Sequence, residues 1–186
     1  MCIRDSINFN PNDSSSIFFK YNYFNIMKTI QVSKKFRVKS EELWRVISAK
    51  ENLNLYHPFC KSNVALNWPG KDSIDELTYL NGRTYRREFF NWKEGKGYDL
   101  LISYGKIKSS VKWEIISLSN GSQLTIKLNP QFKLSKNRIL NSILSRLFIP
   151  VLLKSYLKHV LNGLDFYLSN DQVVKPNQFG KHIWFS

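Results

Sequence analysis

Leu153-Lys154-Ser155-Tyr156-Leu157-Lys158-His159-Val160-Leu161-Asn162-Gly163-Leu164-Asp165-Phe166-Tyr167-Leu168 is the stretch that decides the fold. Leu153, Tyr156, Leu157, Val160, Leu161, Leu164 and Leu168 recur at three- and four-residue spacing, and Lys154, Lys158, His159, Asn162 and Asp165 fall on the opposite side. This is an amphipathic helix with a wide apolar stripe. Upstream, Ile139, Leu140, Ile143, Leu144 and Leu147 repeat the spacing, so the helical run extends from Asn137 to Leu168. Pro150 lacks an N–H and clashes with the preceding turn, and should kink or split the run. So apolar a helix needs a large surface to lie on.

The rest of the chain supplies strands. Ile30, Val32, Phe36 and Val38 alternate with polar residues, which predicts a half-buried strand. Ser40-Glu41-Glu42 then reads as a cap residue followed by two acids, ahead of Leu43, Trp44, Val46 and Ile47, and opens a short helix. A second short helix, Lys50 to Tyr56, ends before His57-Pro58, because a residue preceding proline is driven out of the helical region.

From Cys60 the chain reads as strands joined by tight turns. Val64, Leu66 and Trp68 alternate with Asn63, Ala65 and Asn67, and Pro69-Gly70-Lys71-Asp72 turns the chain. Ser73 to Leu80 closes on Asn81-Gly82, a two-residue hairpin signal. Arg83 to Trp92 follows, then Tyr98, Leu100, Ile102 and Tyr104 on one face, then Ile107, Ser109, Val111, Trp113 and Ile115. Asn120-Gly121 turns into Leu124, Ile126 and Leu128, and Asn129-Pro130 ends the sheet. The expectation is an α+β domain, a curved antiparallel sheet of about seven strands wrapped over a long C-terminal helix, with two short helices after the first strand.

The 186 residues suffice for one domain with a sizeable core. Residues 1–26 are expected to lie outside it as a disordered leader: Met1-Cys2-Ile3-Arg4-Asp5-Ser6 resembles a translated sequencing adapter, and Ile7 to Ile26 has no period. The domain is expected to span 27–170, with 171–186 a tail whose Phe179, Trp184 and Phe185 pack back onto it, since disordered tails are poor in aromatics. The net charge of +14 favours acidic partners, but the bases are spread over most elements, as on a solvated surface. Cys2 aside, Cys60 stands alone, so no disulfide framework is expected and a reducing, cytoplasmic location is. No apolar run reaches the ~18 residues of a spanning helix.

This order of elements resembles the helix-grip fold of the START-like (SRPBCC) superfamily, and within it the bacterial polyketide cyclase/dehydrase and lipid-transport group. The resemblance rests on Glu42-Leu43-Trp44, on Asn54-Leu55-Tyr56-His57-Pro58-Phe59, on Val111-Lys112-Trp113-Glu114-Ile115 and on the Tyr156 to Tyr167 helix. It implies a cavity rather than a reaction. Physics gives the same expectation: a twisted sheet gripping one helix leaves a gap that side chains or a ligand must fill. Aromatics form 15% of the chain. Those expected on or near inner faces include Phe59, Tyr85, Phe89, Tyr98, Tyr104, Trp113, Phe132 and Tyr156, as core or as the rings of an apolar pocket.

The candidate ligand-binding residues are Tyr56, His57, Phe59, Tyr85, Arg87, Phe89, Leu100, Trp113 and Tyr156. In Arg83 to Phe90 either face of a strand buries a charge, so either Arg87 anchors an anionic head group inside or Glu88 pairs with Arg86 or another base. His57 and Cys60 lack further ligands at metal spacing, so no metal and no cofactor are expected. Nucleic acid is not expected either, for want of a binding fingerprint. Arg146 to Leu153, apolar nearly all round and flanked by bases, suits a lid or a contact with anionic membrane. The leading reading is a carrier or sensor of a hydrophobic or amphiphilic small molecule or lipid. The alternative is a polyketide cyclase/dehydratase-like enzyme in which His57, Glu88 or Tyr85 acts as acid or base. The two differ in whether a polar group left unpaired by the protein is poised over the ligand.

Overall fold

The computed structural model describes residues 28–131 and 148–186. The leader, Phe132 and the helical segment up to Leu147 therefore lie outside the described residues. Seven strands form one antiparallel sheet: β1 (Ile30–Phe36), β2 (Cys60–Asn67), β3 (Ile74–Tyr79), β4 (Thr84–Lys93), β5 (Gly97–Tyr104), β6 (Ile107–Leu118) and β7 (Gly121–Asn129). Strands β2 to β7 run as a meander, and β1 pairs with β7, so the spatial order is β1-β7-β6-β5-β4-β3-β2. Two short helices, α1 (Ser40–Ile47) and α2 (Leu53–Tyr56), carry the chain from one sheet edge to the other. The long helix α3 (Ile149–Asn170) lies across the concave face.

Helix α3 buries Leu153, Leu157, Val160, Leu161 and Leu164, as its spacing requires. On its outer side Lys34 reaches across from β1 to Asp165 (3.0 Å) and Asn162 (2.9 Å). The run upstream of Pro150, where the kink or split is expected, lies outside the described residues, and the proline itself opens the described helix. It stands in the first turn, where its missing N–H would have had no helical partner. The helix presses closest at Gly163, where an added Cβ would lie 2.0 Å from the Tyr56 carbonyl oxygen. Only glycine lets α3 reach the end of α2.

Some local readings need correction. Ser40 does not cap α1; it is buried, and its hydroxyl pairs with that of Ser117 (2.7 Å), while Lys39 occupies the cap position without a side-chain bond. In β2 the apolar side of the alternation faces solvent: Val64 and Leu66 are 49% and 54% exposed, and Asn63 is buried. The Asn63 amide is satisfied inside, donating to the Glu76 carbonyl (3.1 Å), while its backbone N–H donates to Asn54 Oδ1 (2.7 Å), so a polar hook ties β2 to α2. A register shift between Ala65 and Asn67 then lets Trp68 pack inward on Phe89.

The β3–β4 connection is a three-residue loop, Leu80 to Gly82, rather than a two-residue turn, because Tyr79 pairs with Arg83 and Gly82 takes the left-handed conformation. The Asn81 side chain accepts from the Arg83 N–H (3.0 Å) and stiffens it. Leu118 pairs with Gly121, so the β6–β7 turn is a two-residue one but lies at Ser119-Asn120, one residue before the expected Asn120-Gly121, and Gly121 opens β7.

Gly163→Ala should destabilise the fold by about 1–3 kcal/mol, the usual cost of overpacking, read as a lower urea midpoint with an unchanged slope.

Candidate functional site

Between α3 and the sheet lies a cavity of about 370 Å³. Its apolar wall comes from alternate residues of β5 and β6, such as Leu100, Ile102, Val111 and Trp113, and from Leu153 and Leu157 of α3. Of the residues singled out from the sequence, His57, Tyr85, Arg87, Leu100, Trp113 and Tyr156 line it. Tyr56, Phe59 and Phe89 do not. Tyr56 is buried beneath α3, and Phe59 stacks behind Tyr156 with ring centroids 6.0 Å apart. Phe89 sits under α1 with Trp68, Trp92 and Tyr98, in an aromatic cluster that is core.

Strand β4 turns Tyr85, Arg87 and Phe89 inward, so Arg87 is the buried charge. Asp75 lies opposite it on β3. The carboxylate accepts from Arg87 Nε at 2.7 Å and from Nη2, and the two side chains are 5% and 0% exposed. Burial works against the guanidinium charge, but Asp75 more than offsets it and raises the Arg87 pKa. On the outer face Glu88 accepts from Arg86 at 2.9 Å. Both strand faces thus carry an ion pair, and Arg87 reaches the cavity already matched in charge.

Also on the cavity lining, His57, Tyr156 and Tyr79 form a chain. His57 Nε2 is 3.0 Å from the Tyr156 hydroxyl, which is 2.8 Å from that of Tyr79, and His57 Nδ1 accepts the Phe59 N–H at 3.2 Å. Burial, helped by the Arg87 charge, lowers the His57 pKa to about 3, so the ring is neutral at physiological pH. Burial likewise raises the pKa values of Tyr79, Tyr156 and Tyr85. Burial also pushes the Cys60 thiol up to about 12.

The C-terminal tail completes the wall. It runs back along α2, with Val174 N–H donating to Leu55 O (2.9 Å) and Asn177 N–H to Pro58 O (2.8 Å). His182 Nε2 then meets Leu152 O at 3.1 Å, and Asn81 donates to the Trp184 carbonyl. These ties set Phe185 against Tyr79 (4.4 Å) and Tyr156 (4.6 Å), and Trp184 and Phe185 line the cavity.

Tyr79 and Asp75 escaped the sequence reading. Both carry a signal, since they alternate with Leu77 on the inward face of β3. The aromatic tail signals that Phe185 packs back onto the domain but not where, because its position depends on the hydrogen bonds that guide residues 171–186.

No protein-family model matches the sequence, and neither does any curated protein. Solved structures do match. A START superfamily protein from Mycobacterium smegmatis is 15% identical with a TM-score of 0.63, the match covering 77% of this chain and 99% of that one. The protein TTHA0849 from Thermus thermophilus is 15% identical with a TM-score of 0.64 over the same shares. DynU16, from the dynemicin biosynthetic locus, is 12% identical with a TM-score of 0.60 over 78% of this chain; this chain spans 48% of DynU16. The fold is therefore the START-like helix-grip fold. Among the described residues no cluster of three or more His, Cys, Asp or Glu could hold a metal, and no helix is long and apolar enough to cross a membrane.

Asp75→Asn should cost about 3–5 kcal/mol, because it leaves a buried guanidinium without its counter-charge, and the double change with Arg87→Met should recover most of that loss in chemical denaturation. His57 adds a pH dependence. The unfolded chain takes up a proton below pH 6.5 that folded His57 refuses down to about 3, so stability rises with pH across that window. Each pH unit below 6.5 therefore costs about 1.4 kcal/mol from this residue, and His57→Gln should flatten the slope of stability against pH.

Proposed function

We propose that the protein binds a hydrophobic or amphiphilic small molecule, such as a lipid, in the cavity between sheet and α3, as a carrier or sensor. The observation that carries this reading is the cavity wall: aliphatic and aromatic side chains surround a few convergent polar groups, at a volume within the range of small-molecule sites. The same wall would serve the cyclase/dehydratase-like alternative, for which the polar groups offer a hydrogen-bond donor but no group that titrates near neutrality. His57 is engaged at both ring nitrogens and titrates far below neutrality, the lining tyrosines titrate above their ordinary range, and Glu88 points away from the cavity to Arg86. General acid–base work at neutral pH calls for a group titrating near it. Phe148 and Val151, 58% and 67% exposed at the start of α3 with Lys154 beside them, give a shallow contact with anionic membrane a place to form.

Native mass spectrometry with lipid extraction on the purified full chain tests the reading. A co-purifying amphiphile is expected, or else a thermal shift with fatty acids or apolar aromatics, since a ligand at a hundredfold its Kd stabilises the folded state by about 2.7 kcal/mol. A clean apo mass with no shift across that panel would assign the aromatics to a filled core and the protein to an interaction role.

A further inference from the structure

The hydrogens of the His57–Tyr156–Tyr79 chain do not balance. Nδ1 of His57 accepts the Phe59 N–H and so carries no hydrogen, which places the hydrogen of the neutral ring on Nε2, facing the Tyr156 oxygen. Three hydrogens therefore enter the chain: one from His57, one from Tyr156 and one from Tyr79. It contains two contacts, at 3.0 and 2.8 Å, and each uses one hydrogen. If Tyr156 donates to Tyr79, the Tyr79 hydrogen is left over; if Tyr79 donates to Tyr156, the Tyr156 hydrogen is. Either way one hydroxyl hydrogen has no acceptor among the described residues, and both hydroxyl-bearing rings line the cavity. Arg87 adds to the imbalance, because it meets Asp75 through Nε and Nη2 and leaves the Nη1 hydrogens without an acceptor among the described residues.

We propose that the molecule bound in the cavity presents an oxygen that accepts but does not donate, a ketone, quinone or ester carbonyl, to the Tyr79–Tyr156 hydroxyl pair. The proposal rests on the cavity being a ligand site and names the chemistry of its ligand. A carbonyl takes the surplus hydrogen and brings none of its own, so the hydroxyl pair is satisfied. An alcohol would accept the same hydrogen and add another, leaving the surplus at one. Among the described lining residues a carboxylate could pair only with Arg83, which is exposed to solvent, since Arg87 is matched by Asp75 and His57 is neutral, whereas a carbonyl needs no counter-charge. The surplus hydrogen belongs to a hydroxyl whose pKa burial raises, so at neutral pH it is a hydrogen-bond donor rather than an acid.

Propionylnaphthalene and propylnaphthalene, a ketone and its hydrocarbon counterpart, test this on the full chain by calorimetric titration and by the infrared carbonyl band. The bound ketone should show its C=O stretch at lower frequency than in alkane. The Tyr79→Phe/Tyr156→Phe double variant should weaken the ketone about fivefold, the usual scale of one neutral hydrogen bond, and leave the hydrocarbon unchanged within about twofold. By the same count Tyr79→Phe keeps the Tyr156 hydroxyl hydrogen as surplus, while Tyr156→Phe keeps that of Tyr79 and frees the His57 Nε2 hydrogen as well, so each single variant should lose less. Equal loss for both compounds would overturn the carbonyl assignment and leave the cavity a ligand site. If neither compound binds the full chain, both readings fall. Should the double variant not fold, the band in the unaltered protein decides, and an unshifted carbonyl overturns the assignment.

Discussion

The buried pair of Asp75 and Arg87 is the constraint on which the rest of the structure depends. A buried guanidinium is stable opposite its carboxylate and costly elsewhere, so the pair holds β3 and β4 in a single register. A slip of one residue would set Asp75 against Glu88 and turn Leu77 and Tyr79 to the solvent face. The inward set Asp75, Leu77 and Tyr79 on one strand, with Tyr85, Arg87 and Phe89 on the next, follows from that register. Its electrostatic reach is wider still, because the Arg87 charge helps keep His57 neutral.

Most of the architecture was legible because it is local. The stripe of α3 and the strand alternation after Tyr98 are periodic over many residues, and neighbouring strands of a meander pair through short turns. What escaped was set by tertiary competition. Val64 and Leu66 look like an inner face until the neighbouring strand and α2 offer Asn63 a full set of partners. Asn81-Gly82 looks like a two-residue turn, and the longer loop shifts the pairing by one residue and so selects which acid meets Arg87. Ser40 reads as a cap and is claimed instead by Ser117.

The candidate site was half legible for the same reason. Residues whose inward direction follows from alternation, such as Tyr85, Arg87, Leu100 and Trp113, line the cavity. Tyr56, Phe59 and Phe89 are equally inward but stand behind the wall, and no periodicity separates a first layer from a second. Phe185 comes from a segment without regular structure, held in place by carbonyls of α2, Pro58 and Leu152.

Strand β1 closes the sheet on β7, with Ile30 opposite Leu128, while every other pairing joins neighbours in the chain. The meander can therefore form by successive hairpins at small entropic cost, whereas β1 and α3 must find their places across most of the domain. The cavity has no roof until α3 docks, so only the finished molecule can hold a ligand in it. A ligand in the site would therefore favour the docked α3 over the undocked one and leave the pairing of the meander's own strands unchanged.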